Sequence, residues 1–170
     1  MSLIVEDGTG VADADSYQAV VDARALAVLY GISLPVDDTD VEVSLRKSYL
    51  HLNTLESQLQ GNRTHTIQTG IFPRSNVYVN CNLLDSEEIP KDVLLAQLYA
   101  SEAIESGATT NAIDTGEKLA GFDVKGVYSE THQDNSLIKL NATIQGVNNS
   151  LSGYMKSATS SSNQVHRDEY

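Results

Sequence analysis

Asp13 and Asp15 stand two residues apart near the start of the chain, with Asp22 seven residues further on. These are the first groups whose type and spacing could do chemistry. A D-x-D pair can place two carboxylates on one divalent cation, but a calcium loop needs further oxygen ligands at set offsets and a turn glycine. "ADADSYQAV" runs into apolar residues instead. The favoured reading is helix initiation: Asp15 caps, Asp13 complements the positive end of the helix, and Asp22 lies on its exposed side. Cys81 could act as a nucleophile beside one of His51, His65, His132 or His166. It has no flanking signature, and a half-buried strand thiol is favoured over a reactive one. No histidine stands in a metal-ligand spacing, and the glycines form neither a dinucleotide nor a phosphate loop. Catalytic, cofactor-binding and metal residues are therefore expected to be absent, and no enzymatic activity is expected.

The stretch "NRTHTIQTGIFPRSNVYVN" carries a different potential. Arg63, His65 and Arg74 flank Phe72 and Pro73, with Tyr78 close by. Arginines beside aromatic rings can stack on bases and pair with phosphate, and they are equally enriched at protein interfaces. A third reading makes it a surface loop whose Phe72 tucks into the core. All three remain open on the residues alone.

Three helices should position these groups. Residues 15–30 carry Tyr17, Val20, Val21, Leu26, Val28 and Leu29 as a broad apolar stripe, with Gly31 as the stop. Residues 39–60 repeat Val41, Leu45, Ser48, Leu52, Leu55 and Leu59 at spacings of three and four, the clearest helical period in the chain. His51 falls on the boundary of that face. Residues 90–106 start at Pro90, with Glu87, Glu88 and Asp92 at the positive end, and bury Val93, Leu94, Ala96, Leu98, Ala100, Ala103 and Ile104. Strands are expected near 77–82 and 118–130, and a weaker helix over 136–152. The tail 157–170 has no pattern. The predicted fold is mainly α: a helical bundle core with a small β-hairpin element and an extended C-terminal arm, in one domain over 1–156.

Charge narrows the function. The chain has 170 residues and a net charge of −12. Four of its eleven cations, Arg46, Lys47, Arg63 and Arg74, lie in residues 41–80, a weak candidate for a basic face. A nucleic-acid binder usually shows a basic face, because phosphate neutralisation supplies most of the affinity. One cysteine excludes an internal disulfide, no signal-like start or membrane-length apolar run is visible, and neither a membrane nor a cofactor is an expected partner.

The ordered set "ADADSY", "LRKSYLHLNTLESQLQG", "IFPRSNVYV" and "EEIPKDVLLAQLYAS" resembles a group of tailed-bacteriophage head-to-tail connector (adaptor) proteins, including members labelled DnaT-like single-stranded-DNA-binding proteins. The resemblance covers residues 3–130 well and the rest loosely; related chains often carry tryptophan where this one has Phe72. It implies a homo-oligomeric ring, commonly of twelve copies, between a portal protein and tail or tail-tube proteins. Genomic DNA would pass through without specific binding. The protein would be made in the host cytoplasm and reside in the virion neck. It carries over no catalytic residue. Interface contacts are expected at Phe72, Pro73, Arg74 and Tyr78, and in the tail at Val165, His166, Arg167 and Tyr170. The alternative is a single-stranded-DNA-binding protein of phage replication, with Arg46, Lys47, Arg63 and Arg74 on phosphate.

Overall fold

The computed structural model describes residues 2–107 and 145–156. The expected strands over 118–130, the first part of the 136–152 helix and the tail 157–170 lie outside them. Three α-helices dominate: α1 (Val20–Tyr30), α2 (Asp38–Asn53) and α3 (Lys91–Glu105). Between α2 and α3 run two short antiparallel pairs, β1 (Asn62–Arg63) with β2 (Arg74–Ser75) and β3 (Tyr78–Val79) with β4 (Asn82–Leu83). Residues 145–151 are helical and continue into a 3-10 turn, Ser152–Tyr154. The described chain is thus helix-rich with two small antiparallel strand pairs.

Helix α2 packs along α3, and α1 lies against both. Small residues make that approach possible. Ser44, Ser48 and Ser101 are buried between α2 and α3, and the Ser101 hydroxyl donates to Ser48 Oγ at 2.9 Å. Gln97 is fully buried there and ties three segments together. Its amide N–H donates to Ser16 Oγ and the Leu45 carbonyl, each at 3.0 Å, while its Oε1 accepts from the Tyr17 backbone N–H at 3.2 Å. A buried amide satisfied on both sides specifies register where an apolar contact would tolerate sliding.

Two apolar clusters fill the core. Ala23 and Ala27 of α1 meet Val41 and Leu45 of α2 and Leu95 and Leu98 of α3. The larger cluster joins Tyr49 and Leu52 to Leu59, Ile71, Phe72 and Val77 of the connecting loop, and to Val147, Leu151 and Tyr154 of the C-terminal segment. That segment returns over the loop: the Gln60 N–H donates to the Tyr154 carbonyl and the Lys156 N–H to the Gln58 carbonyl, both at 2.8 Å.

Several sequence expectations need correction. Helix α1 begins at Val20, not Asp15, and Ala19 caps it without a side-chain bond. Asp15 does other work: Oδ1 accepts from the Ile4 N–H at 2.7 Å and Oδ2 from Arg46 Nε at 2.7 Å. Asp13 sits in a turn at φ 59°, outside any helix. Helix α2 stops at Asn53, and a 3-10 turn over Glu56–Gln58 lets Leu59 reach the core without continuing the helix. Gly61, at φ 65°, ends the stretch; a Cβ there would strike the Ser75 carbonyl. Cys81 is exposed rather than half-buried in a strand. With Asn80 it forms the two-residue turn of the β3–β4 hairpin, at φ 50° and 66°, and positive φ at both central residues matches the twist of the flanking strands.

Candidate functional site

The arginine-rich loop is the leading candidate from the sequence, and its geometry turns inward. Phe72 is fully buried and meets Tyr154 edge-on, centroids 5.6 Å apart at 89°. Pro73 is buried behind it, joined by a cis peptide bond. Arg74 is only 3 % exposed. Its guanidinium donates to the carbonyls of Gln60 at 2.7 Å, Gly61 at 2.8 Å and Ile71 at 3.1 Å, stapling the turn after α2 to the loop. Burial lowers its pKa, partly offset by Glu56, whose Oε1 lies 3.9 Å away. Phe72, Pro73 and Arg74, expected at an interface, are buried within the chain's own fold. Only Tyr78 of that group is exposed, at 55 %. Val165, His166, Arg167 and Tyr170 lie outside the described residues.

The other cations are also engaged. Arg63 grips Glu56 through two parallel bonds, Nε to Oε1 and Nη2 to Oε2, both 2.7 Å. This fork geometry is the strong form of an ion pair. It raises the Arg63 pKa, and the Arg63 hydrogen bond lowers that of Glu56. Arg46 pairs with Asp15 and, one helical turn back, Glu42 at 3.4 Å. Arg24 joins α1 to the start of α2 through Asp38 at 2.7 Å and the carbonyls of Pro35 and Val36. Lys91 sits 5.0 Å over the Tyr30 ring, and Lys156 donates to the Ser57 carbonyl. Among the described residues Lys47 alone is an exposed cation with no such partner.

Histidines and carboxylates form no site among the described residues, where no group of three metal-capable side chains occurs. His51 is half-buried, and burial lowers its pKa. The Gly10 backbone abuts the His65 ring, and Glu6, buried nearby, accepts from the Gly8 and Gly10 N–H groups. These contacts hold the N-terminal loop in place.

What the surface offers is apolar. On α1, Val21, Val28 and Leu29 are 78 %, 82 % and 77 % exposed, with Ala25 exposed among them. On α2, Val43 and Leu50 are exposed on either side of Lys47. The broad apolar stripe expected on this helix is thus exposed at Val21, Val28 and Leu29. The overlooked signal is that the apolar residues of α1 spread over most of its circumference, with the alanines Ala23 and Ala27 taking the tight inner contact and the larger residues left outside. Among the described residues no helix is long and apolar enough to cross a membrane.

Fold and surface together define a helix-rich protein whose described arginines are engaged within the chain and whose helices α1 and α2 expose apolar side chains. The chain belongs to the family described as "Putative DnaT-like ssDNA binding protein", whose model matches residues 1–168. No curated protein and no solved structure matches it.

Proposed function

We propose that the protein is a structural virion component, a head-to-tail connector (adaptor) whose copies form a ring between portal and tail. DNA passes through this ring without being gripped. In this reading α1, α2 and α3 are the bundle that makes the ring body, and Val165, His166, Arg167 and Tyr170 contact the neighbouring ring. The resemblance of the ordered helix and loop motifs to phage connectors supports it, and so do the exposed apolar faces of α1 and α2.

One observation carries the choice. Arg46, Arg63 and Arg74, three of the four groups a DNA-binding reading would put on phosphate, are committed to carboxylates and carbonyls within the chain, while the fourth, Lys47, is exposed. Releasing any of them to bind a phosphate breaks a partly buried ion pair or strips buried carbonyls of their donor. That cost is comparable to the strength of the phosphate bond that would replace them. A net charge of −12 adds long-range repulsion of nucleic acid, multiplied over a ring.

The second reading, single-stranded-DNA binding, is favoured by the family's description. A gel shift with a labelled oligonucleotide in low-salt buffer separates the two. The connector reading predicts unchanged mobility. A shift that weakens steeply as salt is added, the mark of counterion release, favours the DNA-binding reading and overturns this one.

A further inference from the structure

We propose that the outer face of α1 on one copy packs against the outer face of α2 on the next, so that copies associate head-to-tail. This rests on the ring reading and deepens it by naming the two surfaces that meet.

The two faces match in spacing. On α1, Val21 and Val28 are seven residues apart, with Ala25 between them; on α2, Val43 and Leu50 are seven apart, with Lys47 between them. Seven residues is about two turns, or about 10 Å of helix, so both pairs of apolar side chains come into register when the helices cross. At the centre the smallest side chain, Ala25, faces the longest, Lys47. The methylene stem of Lys47 lies across Ala25 and carries its ammonium toward Asp22, one turn away on the same helix as Ala25. Asp22 is exposed and, like Lys47, has no ion-pair partner among the described residues. Each stripe thus carries the charge the other lacks. Beside α1 a groove of about 370 Å³, lined by Ala27, Val28, Ile32 and Leu34 together with Arg24 and Ser33, offers a seat for Leu50, which is 64 % exposed.

Both stripes are exposed, so neither covers the other within one chain. A contact between two different faces is heterologous, the type that closes into a ring or runs on as a filament. A symmetric α1-to-α1 pairing would stop at a dimer, and it would set Asp22 of one copy near Asp22 of the other.

Disulfide trapping in the full-length Cys81→Ser chain tests this. One preparation carries Ala25→Cys and a second carries Lys47→Cys. The expected result is a disulfide dimer when the two are mixed under mild oxidation, and none from either alone. Dimer from the Ala25→Cys chain alone means symmetric pairing and overturns the proposal, as does absence of dimer from the mixture at every concentration tried. Sedimentation gives an independent arm in the otherwise unaltered chain. Asp22→Lys or Lys47→Asp alone should weaken self-association roughly two- to fivefold, within the range of exposed ion pairs, and combining both in one chain should restore it. Failure of the double variant to recover contradicts the pairing. The portal takes no part in these measurements. Trapped dimers with no portal binding would leave this contact standing while removing the connector reading.

Discussion

At the scale of single residues, the arginines decide most. Arg74 shows why a basic residue in a loop need not face a ligand: two carbonyls after the α2 turn and one in the loop beside it need donors, and one planar guanidinium reaches all three. Lysine supplies a point charge without the fork, so Arg74→Lys is expected to destabilise the fold by about 3 kcal/mol, on the scale of buried groups left without partners, measured as a drop in the urea midpoint. The Glu56–Arg63 pair gives a pH signature. The hydrogen bond from Arg63 depresses the Glu56 pKa below its ordinary value of 4.5, so the pair contributes stability above that value and loses it as pH falls through the lowered folded value. Burial of His51 acts in the same direction from its ordinary value of 6.5 downward. Stability should therefore fall on acidification below about 6.5 and more steeply below about 4.5, and Glu56→Gln should flatten the lower limb. An unchanged acid limb in that variant would show that the pair contributes nothing to acid stability.

At the scale of elements, the connecting loop behaves as core. Phe72→Ala removes a fully buried ring that touches Tyr154 and the α2–α3 cluster, and should cost about 3–5 kcal/mol, read by thermal or urea unfolding. A loss below about 1 kcal/mol, less than the usual cost of an emptied core site, would mean that the surroundings replace the ring. Helices α2 and α3 are legible in the sequence because their apolar residues repeat at three and four. The start of α1 is not: an aspartate ahead of an apolar run looks the same whether it caps a helix or, like Asp15, bonds the Ile4 backbone and a distant Arg46. The role of Arg74 is equally hidden, since its partners are carbonyls, which every sequence carries at every position. The outer face of α1 is easily misread because its apolar residues spread around most of the helix, and Asp22 and Arg24 give little amphipathic contrast to say which side is in.

At the scale of the whole molecule, charge and apolar surface point the same way. The chain is strongly acidic, its described arginines are committed internally, and its exposed apolar stripes lie on two helices. A protein that must surround DNA without holding it, while binding its own neighbours, needs this division between interior cations and apolar outer faces. The family description leaves single-stranded DNA as the competing partner. The most direct measurement is negative-stain electron microscopy of the full-length chain mixed with the portal protein that the connector reading assigns to it. The connector reading predicts an extra ring of density stacked on one end of the portal. A portal indistinguishable from portal alone, with the chain remaining free in the background, would contradict it.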